Sequence, residues 1–204
     1  PYPLPFSLSF SLPSALCPVP FARKREMISP ARWAAYEALR RADTRGAGGQ
    51  DLASALASTR SLVHDPRDRA LATELALGVE RWRAALDAVI AAGSGRDAAS
   101  IDFPALLSLR LAIFQFKYLT RTPPHAVVDD AVEIVRRAGA HRAVGFVNGV
   151  LRGLLRTGLD AGLHARPTSS DDVEGWAAYL STTMSHPEWL VRPWIARHGS
   201  VAAE

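Results

Sequence analysis

The 204-residue sequence predicts an all-α fold: a compact helical bundle, a helical linker at its C-terminal end and a disordered N-terminal extension. Three observations carry this. From Met27 onward, apolar residues recur at helical spacing. Serine or aspartate followed by proline marks helix starts at Ser29-Pro30 and Asp65-Pro66. No segment alternates with period two for long enough to make a strand. With 48% hydrophobic and 22% charged residues, the chain has the material for a sizeable core.

Residues 1–27 stand apart as an incidental extension. "PYPLPFSLSFSLPSALCPVPFARKRE" holds six prolines, too many for a membrane-spanning helix. Its positive charges follow the apolar run, whereas a secretory signal places them before it. Cys17 is the single cysteine, which excludes an intrachain disulfide and a cysteine-based metal cluster. The expected location is the cytoplasm, with no membrane contact.

Residues 28–157 read as the main helical domain. Pro30 opens a helix with Trp33, Tyr36 and Leu39 at helical spacing and Arg32, Arg40 and Arg41 on other faces. "RGAGGQ" at 45–50 is a loop, and a short helix through Leu52 and Leu56 follows. From Asp65-Pro66, the pattern runs through Leu71, Leu75, Val79, Trp82, Leu86 and Val89 to a stop at Gly93-Ser94-Gly95. That length predicts two helices or one kinked helix, with Gly78 as the weak point. Asp102 caps a helix whose core positions are Leu106, Leu109, Ile113, Phe116 and Leu119. Thr122-Pro123-Pro124 then forces a rigid bend, because each proline fixes its own φ and restricts its predecessor. His125 reads as a cap or packing residue. A helix over about 125–138 ends at Gly139, and another covers about 141–156.

The latter carries "GFVNGVLRG" at 145–153, with Gly145, Gly149 and Gly153 spaced four apart. Each glycine weakens a helix by about 1 kcal/mol against alanine. Residues at i, i+4 and i+8 drift slowly around a helix, so the three make a bare strip on which a neighbouring helix is expected to nest closely. Asn148 beside the strip is expected to serve the fold, bonding a loop carbonyl or capping a neighbour. Residues 158–170 form a loop, and 171–204 a helical linker. In it, Val173, Trp176, Ala177 and Leu180 make one helix, and Trp189, Leu190 and Trp194 the apolar face of a second, which Pro193 should kink or shorten.

No complete active site is legible. The six histidines are scattered and no metal site is predicted. No phosphate-binding glycine loop is present. Asp129 and Asp130 are adjacent and point to different sides of a helix. What remains is binding. All basic residues are arginine except Lys24 and Lys117, and the planar fork of arginine suits phosphate and bases. Net charge is +4, but residues 23–26 supply +2 of it. One group comprises Arg32, Arg40, Arg41 and Arg45; another, Arg136, Arg137, Arg142 and Arg152, brackets the turn at Gly139. If the groups meet in space, they make a basic patch able to track a phosphate backbone.

"ELALGVER" (74–81), "RTPPHAVVDDAVEIV" (121–135) and "GFVNGVLR" (145–152) resemble the NusB-like helical domain. The Pro123-Pro124-His125 turn and "SHPEWLVRPWIARHG" (185–199) narrow the resemblance to the RsmB/Sun family of ribosomal RNA cytosine-5 methyltransferases. That resemblance implies an RNA-binding domain with ribosomal RNA as partner, joined in cis to a catalytic domain that binds S-adenosylmethionine. It places RNA contacts at Arg32, Arg40, Arg41, Arg142 and Arg152. The family's chemistry needs a thiolate that attacks C6 of cytosine. No cysteine follows Cys17 and no cofactor loop is present, so this chain is expected to hold no cofactor and no catalysis of its own. The alternatives are a free-standing NusB-type antitermination factor with a ribosomal-protein partner, and a structural helical adaptor.

Overall fold

The computed structural model of the protein describes residues 28–43, 49–119 and 122–203. The extension at 1–27 and most of the 45–50 loop lie outside them. Helix α1 (Pro30–Ala42) starts where the serine–proline pair puts it, although the Ser29 hydroxyl makes no cap bond. The Ser29 N–H donates instead to Asp130 Oδ1 at 3.3 Å. Asp51 caps α2 (Leu52–Ser58) by accepting from the Ser54 N–H at 3.0 Å, and Asp65 caps α3 (Pro66–Arg81) by accepting from the Arg67 N–H at 2.8 Å.

The long segment divides into two helices, but not at Gly78. It breaks at Trp82, whose backbone leaves helical values and whose ring stacks on Tyr118 at 5.1 Å. Gly78 has another duty: a Cβ there would fall on the Phe114 ring. Helix α4 (Arg83–Ser94) stops on Gly95, which adopts the left-handed conformation that glycine takes without strain. There follow α5 (Phe103–Tyr118), α6 (Pro124–Arg137), α7 (Val144–Thr157), α8 (Val173–Ala178) and α9 (Glu188–His198). Among the described residues there is no strand.

The core is organised around α5, which is buried continuously from Ala105 to Gln115 and packs against α1, α3, α4, α6 and α7. A helix apolar nearly all round belongs at a centre of this kind. Its polar side chains are each bonded. Ser108 donates to the Ala131 carbonyl at 2.8 Å, and Arg110 grips Asp87 through two bonds of 2.7 Å.

Beyond Gly158, no helix forms until α8, which runs into a π turn at Tyr179–Thr183. Pro193 stands inside α9 without ending it. Trp176, Ala177, Leu180, Val191 and Ile195 form a second, small core. Ser185 ties this part to the bundle: held at φ 59°, it accepts the Ala85 N–H of α4 at 2.9 Å. Gly162 lies so close to the Ala88 carbonyl that a Cβ would come within 2.5 Å of it.

Candidate nucleic-acid interface

Helix α7 presents two faces. Val147, Val150, Leu151 and Leu154 are buried, while Gly145, Gly149, Arg152 and Arg156 point outward. At 100° per residue these sets lie on opposite sides. The glycine strip therefore does not nest a helix: a Cβ at Gly145, Gly149 or Gly153 would meet nothing within 4 Å. The close approach predicted for α7 exists, but the glycine that permits it is on the partner helix. A Cβ at Gly93 of α4 would come within 2.5 Å of Leu154. Asn148 caps no neighbour either. Its Oδ1 accepts from Arg152 Nε at 2.9 Å, one turn away on the same helix. The outward face of α7 is thus low, backbone-rich and flanked by guanidinium groups.

Arg32 is a correction of a different kind. It is buried, its Nε donates to Gln115 Oε1 at 2.5 Å, and its Nη1 pairs with Asp130. Burial pushes the Asp130 carboxyl up, and Arg32 pulls the other way. The guanidinium ties α1 to α5 and α6 and is not presented to a ligand. Nothing local in the sequence reveals this, because Asp130 stands 98 positions along the chain.

Arg40 and Arg41 are on the exterior end of α1. Arg40 bonds Glu37 at 2.9 Å, and Arg41 bonds Ser58 Oγ at 2.6 Å. Arg142 is exposed just before α7, and Arg96 lies over the Phe146 ring at 5.3 Å. Pro123 and Pro124 form the start of α6, and His125 is exposed in its first turn, so it is not a packing residue. The second arginine group touches α1 at one point, near the start of that helix and away from Arg40 and Arg41 in its last turn. Arg137, at the end of α6, lies over the Trp33 ring of α1 at 4.1 Å. Among the described residues no cluster of histidine, cysteine or carboxylate side chains suits a metal ion, and no helix is long and apolar enough to cross a membrane.

Comparison with known proteins bears on this arrangement. The NusB family model matches residues 29–156. The chain is 36% identical to "Probable ribosomal RNA small subunit methyltransferase B" of Bacillus subtilis (strain 168), over 68% of this chain and 29% of that protein. It is also 36% identical to a protein of Mycobacterium tuberculosis (strain ATCC 25618 / H37Rv) named as a methyltransferase, over 89% of this chain and 38% of that one. The latter span exceeds what residues 1–156 could supply, so the likeness runs on into the segment that holds α8 and α9. The chain spans about a third of the length of these curated relatives. In three dimensions it overlays a solved structure of the antitermination factors NusB and NusE in complex with dsRNA, with a TM-score of 0.56 and 22% identity, covering 63% of this chain and 95% of that chain. The helical order, the buried α5 and the matched residues agree: this chain belongs to the NusB family.

Proposed function

We propose that this chain is the RNA-recognition part of a ribosomal RNA cytosine-5 methyltransferase. One observation carries the reading beyond the fold: similarity to a methyltransferase relative extends past the NusB-matched residues into α8. The free-standing NusB alternative accounts for the bundle alone. The exterior supports RNA as partner, since Arg40 and Arg41 lie on α1, Arg137 and Arg142 beside the α6–α7 turn, and Arg152 and Arg156 along the outward face of α7. Residues 28–203 contain no cysteine, and the described residues have no strand from which an S-adenosylmethionine domain could be built. The thiolate and the cofactor would belong to a separate domain in cis.

Filter binding of the chain to structured small-subunit ribosomal RNA tests the first half. Affinity should fall steeply with salt, with a log–log slope of about −0.7 to −0.9 for each phosphate neutralised. Absence of binding at about 50 mM salt would refute RNA recognition. The second half is tested on the longer protein that carries this sequence. Methyl transfer to a cytosine of that RNA should drop when residues 28–157 are deleted, while cofactor binding persists.

A further inference from the structure

Arg137 and Trp33 form a contact that the fold does not need for its core. Trp33 is partly exposed and stacks on the buried Tyr36, ring centroids 5.3 Å apart and planes within 23°. Arg137 is exposed, lies over the same indole at 4.1 Å, and has no recorded carboxylate partner among the described residues. Other exposed arginines differ: Arg136 pairs with Glu133 at 3.3 Å and Arg40 with Glu37 at 2.9 Å. A guanidinium resting on an indole keeps one plane toward solvent and has its orientation set by the ring beneath. Trp33 is itself held by Tyr36. The result is a flat, cationic step where the end of α6 lies over the start of α1.

We infer that this step is a base-stacking site for single-stranded RNA, in which an unpaired nucleobase lies on the outer plane of Arg137 as the next layer over Trp33. Arg137 makes the contact and Trp33 positions it. Unpaired bases of RNA are recognised by stacking of this sort on aromatic rings and guanidinium planes. The inference rests on the proposed RNA-binding role and adds a specific site to it.

The test separates stacking from charge. The full chain and its variants are titrated with a single-stranded oligonucleotide RNA and, in parallel, with inorganic polyphosphate, which has charge but no bases. Arg137→Lys keeps the charge and loses the plane. It should weaken RNA binding about tenfold and leave polyphosphate binding unchanged. Trp33→Leu should weaken RNA binding by a smaller factor without altering the salt slope, and Trp33→Phe should restore most of the loss. Thermal unfolding of each variant checks that the bundle is intact. If Arg137→Lys binds RNA as tightly as the unmodified chain, the site is refuted. Equal losses on RNA and polyphosphate would also refute it, leaving Arg137 as an ordinary phosphate contact. Failure of the unmodified chain to bind any RNA would overturn the underlying functional reading instead, and the stacking site with it.

Discussion

Helices α1 to α7 share one continuous core running from Ile28 to Leu154, whereas α8 and α9 close around five buried residues, Trp176, Ala177, Leu180, Val191 and Ile195. The bundle buries its apolar surface through many mutual contacts around α5. The C-terminal pair has too little apolar surface to be independent, since stability grows with the area removed from water. It compensates by leaning on α4 through Ser185 and Gly162, while Lys117 of α5 holds the preceding turn by donating to the Leu159 carbonyl and to Asp160. Its exterior also differs: Trp189 remains 75% exposed. The larger part carries a continuous core of its own, and the smaller is oriented by its contacts with that part.

Substitutions in the two cores give the strongest test of that contrast. Leu106→Ala removes a fully buried side chain from α5 and should cost about 3 kcal/mol of global stability, measured by urea unfolding. Trp176→Ala should instead open only residues 171–203, read as lost amide protection there with the bundle's unfolding midpoint nearly unchanged. A shared fall in both regions would mean that the parts unfold as one. Next in size, Gly78→Ala places a methyl group on the Phe114 ring and should destabilise by about 2 kcal/mol, seen as a lower Tm.

Ser185→Ala removes the acceptor for the Ala85 N–H and should loosen α8–α9 by about 1 kcal/mol, detected by hydrogen exchange in that pair. Tyr36 offers a test within the bundle. Its hydroxyl is buried without a hydrogen-bond partner, and burial, assisted by Glu37, pushes its ionisation up to about 12. The unfolded chain ionises near 10.0, so between these values the folded state holds the extra proton and stability falls as pH rises. Tyr36→Phe should raise stability by about 1 kcal/mol at neutral pH and remove part of that alkaline loss. The smallest effect is expected at Gly149→Ala. With open space around the position, alanine should stabilise α7 by just under about 1 kcal/mol, and a loss of stability would show that the strip is packed after all.

Much of the fold was legible because its signals are local. The cap at Asp65, the prolines at 30, 66 and 124, and the 3.6-residue spacing of Leu106, Leu109 and Ile113 act within a turn or two. The candidate site was legible only in part. Arg40, Arg41, Arg142 and Arg152 are exterior as their faces suggested, yet the same reasoning placed Arg32 there too. A helical wheel says which side chains share a side but not which side another helix covers. For the same reason the glycines of α7 misled: spacing alone cannot distinguish a strip that receives a neighbour from one that faces outward.

By itself, the sequence determined the helical class, the helix starts, the stop at Gly95 and the bend before α6, all set by backbone stereochemistry and capping over a few residues. Only tertiary structure decided that Gly93 and Gly78, rather than the α7 glycines, admit close neighbours. It also buried Arg32 against Asp130 and brought Arg137 over Trp33. Those outcomes depend on partners dozens to about a hundred residues apart, and only the packing of helices around α5 brings them within reach.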